Sequence, residues 1–310
     1  MKIFLSGGSG HLGSVLVPRL RAAGHEVSAP RSKECDLMVF HECLSATKGS
    51  DMIIHAAAVA KSRVEQMAHP SESFRPNVLM TLQILEAARQ NKVKKVLIVN
   101  SLRAYADMEA PFKEEALLES KVPSIKNKTF GYYGLSKWVS IPAGRAYAAE
   151  FEDMKIREVV FSNLYGPNDK FDFDPPPAVP SFIKKIAAAK KQAMPAFDAG
   201  NNPGATLDLL YVDDAAELMM RVVENFGDGS FDIINGGGGR SYELREVADT
   251  VAEAVGFSGK ITWSGEIKTP PMFLDTEKAH SQFDWKPSTT LSKGINNTVE
   301  WFNKNYGKTK

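Results

Sequence analysis

Residues 2–13 read KIFLSGGSGHLG, and no other feature limits the possible fold so strongly. A short apolar run stops at glycines, and a helical pattern, HLGSVLVPRLRAAG, begins at once and ends at Gly24. Gly7, Gly10 and Gly13 recur every third residue, and Gly8 also completes a G-x-G-x-x-G pattern. Glycines at a strand–turn–helix junction let the backbone turn sharply and approach a diphosphate. The helix start then offers free N–H groups and the positive end of its dipole. A plain glycine-rich turn is the alternative, so the pattern needs support from the rest of the chain.

That support comes from a rhythm. HEVSAP, SDMIIHAAA, KKVLIVNS and KIREVVFS read as further strands, separated by helical stretches over about 71–90 and around Tyr133. The strands show little polar alternation, which suits burial on both faces. Alternating strands and helices predict an α/β fold, a doubly wound parallel (Rossmann) sheet, with a smaller C-terminal substrate-binding lobe. We expect residues 1–162 to form the nucleotide-binding domain and 163–310 mainly the lobe, with segments near 208–235 returning to the sheet. In TLDLLYVDDAAELMMRVVE a strand enters a helix capped by Asp213 or Asp214, and helices follow near 243–255 and 291–305.

Composition mainly excludes. A formal charge of +1, from 38 basic and 37 acidic residues, offers no electrostatic case for nucleic acid or a membrane. No apolar run is long enough to span a bilayer, and the N-terminal one is too short for a signal peptide. Cys35 and Cys43, the only two cysteines, have no metal-ligand spacing and suggest a reduced, cytoplasmic setting. No metal is expected. The aspartates at 169, 172 and 174 read as loop solvation, His55 as a strand-end packing residue, and the glycines at 236–239 as a flexible surface connection.

Cofactor choice is read at the end of the second strand. An acid there holds an NAD ribose, whereas a base accommodates the extra phosphate of NADP. The text SAPRSKECDL lacks an acid at the strand end and has Arg31 and Lys33 just after it. NADP is therefore expected, with NAD as the alternative, and Asp36 and Leu37 are expected near the adenine.

FGYYGLSKWVS puts Tyr133 four residues before Lys137, on one helix face. A phenol is a poor base at neutral pH until a neighbouring cation favours its ionised form. Ser101 ends the fourth strand, where a parallel sheet presents its site, and could steady the phenol.

In this order the segments SGGSGHLG, DMIIHAAA, NVLMTLQILEAAR, NSLRAY, YGLSK, SNLYGPND, LYVDDAA and TVEWF resemble the extended short-chain dehydrogenases/reductases nearly end to end. Within them the chain is similar to the nucleotide-sugar epimerase/reductase group, and most to its GDP-L-fucose synthase-like branch. The resemblance implies a catalytic Ser101, Tyr133 and Lys137, with Tyr133 rather than Tyr132 as acid/base and Lys137 on the nicotinamide ribose. It implies Gly7, Gly10, His11, Leu12, Gly13, Ala56, Ala57 and Asn77 at the cofactor, Asn163 and Lys185 at the substrate, and a homodimer.

Departures narrow the chemistry. The branch epimerises its keto sugar with a cysteine and a histidine, and the matching positions here hold Arg103 and Pro177. Neither removes a carbon-bound proton. A dehydratase would carry Thr-Asp-Glu where this chain has SLR. Leu207 and Pro271 stand near the two positions where the family usually carries arginines that clamp the nucleotide phosphates, so that clamp is missing here. Arg103 either holds a substrate phosphate or carboxylate, or points to solvent. The expectation is an NADP-dependent oxidoreductase acting on a sugar or nucleotide sugar, without epimerisation. The rivals are a 4-epimerase that retains its cofactor and a non-enzymatic NADP sensor.

Overall fold

The computed structural model describes residues 1–105, 109–119, 122, 131–200, 202–266 and 268–307. The first half runs β1 (Lys2–Ser6), α1 (His11–Ala22), β2 (Glu26–Ser28), α2 (Phe40–Ala46), β3 (Met52–His55), α3 (Arg63–Ala68), α4 (Pro70–Gln90), β4 (Lys95–Ser101), a 3-10 turn (Leu102–Tyr105), α5 (Glu114–Glu119), α6 (Gly131–Glu150) and β5 (Lys155–Phe161). The second runs β6 (Asn163–Tyr165), α7 (Ala178–Lys191), β7 (Ala196–Asp198), β8 (Thr206–Leu207), β9 (Leu209–Tyr211), α8 (Val212–Glu224), β10 (Phe231–Gly236), β11 (Tyr242–Glu243), α9 (Leu244–Val255), β12 (Lys260–Thr262), α10 (Glu277–Phe283) and α11 (Leu291–Asn305). Much of the irregular segment expected before the Tyr133 helix lies outside the described residues.

Six parallel strands form the main sheet in the order β10-β5-β4-β3-β1-β2. The chain moves outward from β1 to β2, then crosses back to β3. The crevice between the ends of β1 and β3 is thus the switch point where such sheets bind ligands. Alternate side chains explain why the strands read as continuous apolar runs. Ile3, Leu5, Met52 and Ile54 pack toward α1 and α8, while Phe4 and Ile53 pack toward α4 and α6. A separate apolar cluster, including Phe171, Ile183, Val251 and Ile295, holds the C-terminal lobe together. No helix among the described residues is long and apolar enough to cross a membrane.

Three local expectations need correction. The strand expected over 206–211 is broken at Asp208, with β8 pairing antiparallel to β11 and β9 parallel to β6. The cause is the buried Asp208 carboxylate, which turns inward to accept the N–H groups of Gly238 (2.7 Å) and Leu274 (2.9 Å). The glycine run beside it is not a free surface connection. Gly236 and Gly237 are buried, and a Cβ at Gly237 would stand 2.5 Å from Asp208 Oδ2. Finally, neither Asp213 nor Asp214 caps α8. The N-cap is Tyr211, and both acids lie in the first turn, where they complement the helix dipole.

Candidate active site

The glycine turn shapes one end of a cleft of about 610 Å³. Gly7 has φ 76°, and a Cβ there would stand 2.7 Å from Ala57 N, at the end of β3. A Cβ at Gly13 would come within 2.2 Å of the Gly7 carbonyl, so only glycine lets α1 start so close to β1. Gly7, Gly10, His11, Leu12, Ala56 and Ala57 line the cleft, whereas Gly13 acts behind it. The α1 start has no side-chain cap and no acid in its first turn. Open N–H groups in a turn that carries no acid of its own fit a dinucleotide diphosphate.

Asn77 does not line the cleft. Its Nδ2 donates to Val59 O (3.0 Å) and Ser73 O (2.6 Å), and its Oδ1 accepts from Val59 N (2.8 Å), so it pins the segment after β3. Arg31 and Lys33 are exposed just after β2, in a loop that also carries Glu34, which accepts the Arg31 backbone N–H at 2.8 Å. Asp36 stabilises its own turn through the Met38 N–H (2.9 Å), and Leu37 is buried in the apolar cluster with Cys35 and Cys43. None of these four borders the cleft.

Ser101, Tyr133 and Lys137 all line it. Ser101 ends β4, and α6 supplies Tyr133 and Lys137 from its first two turns. Tyr132 points away; it is 39% exposed and meets Phe74 edge-on at 6.3 Å. Lys137 Nζ donates to the Val99 carbonyl at 3.0 Å. Burial pushes Lys137 down to about 8; Glu158 opposes the fall and Lys170 adds to it. Burial raises the Tyr133 phenol, and the charge that opposes this is Arg103 rather than the Lys137 expected from spacing. His55, expected to be structural, is buried between Ser6 Oγ (2.8 Å) and Thr81 Oγ1 (3.3 Å), and burial drives it to about 3.

Arg103, Asn163 and Pro177 line both this cleft and an adjoining hollow of about 170 Å³ that runs to Leu207 and the start of α7. Lys185 is exposed on α7 and reaches neither, and Pro271 is likewise exposed outside both. Asp172 and Asp174 are exposed, but Asp169 is not solvated. It lines both hollows, its Oδ1 lying 3.7 Å from His11 Nδ1 and accepting the Lys170 N–H at 2.7 Å. Burial lifts Asp169 to about 7 against the pull of Lys170, and lowers His11 to about 4. The missed signal was Phe171, fully buried against Trp301, Phe302 and Tyr306. Seating that ring carries Asp169 and Lys170 inward.

The NAD dependent epimerase/dehydratase family matches residues 3–237. The chain is 26% identical over 309 residues to GDP-L-colitose synthase of Yersinia pseudotuberculosis, covering 97% of this chain and 98% of that one. It is 26% identical over 318 residues to GDP-L-fucose synthase of Escherichia coli (strain K12), covering 98% and 97%. A solved GDP-L-fucose synthetase from Naegleria fowleri superposes with a TM-score of 0.86 at 22% identity, covering 100% of this chain and 94% of that one. The NADP-bound form of that protein gives 0.84 at 22% identity, with coverages of 99% and 94%.

Proposed function

This chain belongs to the NAD dependent epimerase/dehydratase family, and on that premise we propose that it is an NADP-dependent oxidoreductase. It interconverts a keto group and a hydroxyl on a sugar or nucleotide sugar and does not epimerise the neighbouring carbons. The observation that carries this reading is the convergence of Ser101, Tyr133 and Lys137 on the cleft that opens at the α1 start. When bound, the nicotinamide supplies or accepts the hydride. Ser101 hydrogen-bonds the reacting oxygen, and Tyr133 gives its proton to the developing alkoxide. In the oxidising direction Tyr133 takes the proton back. Lys137 binds the cofactor ribose and favours proton transfer by its charge.

The relatives named for GDP-L-colitose and GDP-L-fucose synthesis support a nucleotide-sugar substrate, and the NADP-bound neighbour supports the cofactor. Arg103 and Pro177, where the branch carries its epimerising pair, both line the substrate end. A homodimer through α4 and α6, which pack side by side, and a cytoplasmic setting consistent with the free thiols Cys35 and Cys43, complete the reading. The test is NADPH and NADH consumption across a panel of keto sugars and nucleotide keto sugars. Stoichiometric oxidation of NADPH with reduction of one carbonyl is expected. Sugar interconversion without net cofactor turnover would replace this reading with a 4-epimerase. Cofactor binding with no turnover of any sugar would favour a sensor.

A further inference from the structure

A buried polar cluster lies directly behind the cleft, and its centre is Asn100, the residue before Ser101. The Asn100 Oδ1 accepts the Ser101 backbone N–H at 2.7 Å. Its Nδ2 lies 3.1 Å from the Lys137 carbonyl, 3.0 Å from Ser140 Oγ and 2.6 Å from Glu158 Oε2. Ser140 Oγ in turn reaches the Lys137 carbonyl (2.7 Å) and Glu158 Oε2 (2.8 Å). One amide therefore touches the backbone of both Ser101 and Lys137, which come from different elements.

Stability alone does not account for the cluster. Glu158 is fully buried on β5, and its neighbour on the same strand face is Ile156, part of the apolar cluster under α4 and α6. Its Oε1 has no hydrogen-bond partner among the described residues. An apolar side chain at such a position generally stabilises a fold as well or better.

We propose that Asn100, Ser140 and Glu158 are positioning residues for proton transfer: Asn100 sets Ser101 relative to the Lys137 backbone, and Glu158, held by Asn100 and Ser140 next to that backbone, supplies negative charge that favours the Lys137 ammonium. The inference rests on the oxidoreductase reading above. Among the described residues, Glu158 from β5 and Lys170 from the loop after β6 act on the Lys137 charge, His55 from β3 feels that charge, and Tyr133 lines the same cleft one turn earlier on α6. His55 is neutral at ordinary pH, and Lys170 works against the ammonium. Among the described residues Glu158 is thus the acid that favours it. Burial pushes the Glu158 carboxyl up to about 7, against the hydrogen bonds from Ser140 and Asn100 and the charge of Lys137, which favour its ionised form.

The test uses the full chain and two variants, Glu158→Gln and Asn100→Ala. The first readout needs no activity: the pH dependence of Lys137 acylation by acetic anhydride, followed by mass spectrometry, since only the neutral amine reacts. Glu158→Gln is expected to move the Lys137 titration, and the alkaline limb of kcat/KM, down by roughly one pH unit. Asn100→Ala is expected to lower kcat roughly 10- to 100-fold with NADPH affinity nearly unchanged. A Lys137 titration in Glu158→Gln that superimposes on the wild type overturns the proposal. So does an Asn100→Ala chain that is folded and fully active; if that variant fails to fold, the Glu158→Gln titration decides. A wild-type chain that turns over no carbonyl substrate sinks the oxidoreductase reading instead, and the acylation titration still reports the Glu158–Lys137 relationship separately.

Discussion

The Nζ of Lys137 donates a hydrogen bond to the carbonyl of Val99, across 3.0 Å and between α6 and β4. That bond ties the helix bearing Tyr133 to the strand that ends in Ser101. Both hydroxyls share a cleft with a lysine whose ammonium is held by a backbone carbonyl.

Tyr133→Phe removes the proton donor and almost no volume. Turnover is expected to fall by on the order of 10² to 10⁴, while NADPH binding, measured by fluorescence titration, stays close to wild type. Tyr132→Phe, on the exposed side of α6, is expected to be near normal. The reverse outcome would move the acid/base to Tyr132.

Arg31→Ala combined with Lys33→Ala is expected to weaken NADPH by roughly 10- to 100-fold, the worth of one or two charge-assisted bonds to a phosphate. NADH should change little. Equal losses for both cofactors, or an original preference for NADH, would remove the role given to these exposed residues, which share their loop with Glu34.

Proton exchange beside the carbonyl is expected to be absent. A guanidinium stays protonated at ordinary pH and proline has no side-chain base, so Arg103 and Pro177 cannot perform epimerisation. The keto substrate, enzyme and cofactor are incubated in D₂O and the product is examined by NMR. Deuterium at the flanking carbons above an enzyme-free control would contradict this. Its loss in Asp169→Asn would then assign the exchange to the buried acid of the cleft.

Stability should depend on pH through the buried carboxyls. Burial lifts Glu158 and Asp169 to about 7 and Asp208 to about 6, from ordinary values of 4.5, 3.8 and 3.8. Between each pair of values the folded chain binds more protons than the unfolded one, so stability falls as pH rises from about 4 to 7. Glu158→Gln should therefore gain stability relative to wild type between pH 5 and pH 8, on the order of 1–3 kcal/mol. Urea unfolding at the two pH values measures it; an equal difference at both would refute the assignment.

Features within a few residues of one another were legible in the sequence. Strand, glycine turn and helix at 2–22 follow from apolar runs and from glycines that the backbone path requires. That Tyr133 and Lys137 lie on one side of α6, toward the cleft, follows from their helical spacing. Parallel order and two-faced burial follow from the unalternating strands. Tertiary structure decided what depends on residues far apart. Whether Asp169 meets water or His11 is set by where Phe171 finds its aromatic partners, more than 120 positions later. Whether Lys185 reaches the substrate depends on the rotation of α7 against the lobe core, which buries Ile183 and Ile186 and leaves Lys185 outside. Asn100 looks like an ordinary polar strand residue until β5 and α6 bring Glu158 and Ser140 against it. A side chain's local pattern sets its backbone shape, but its charge state and partners depend on desolvation and contact. Those arise only when distant segments pack together.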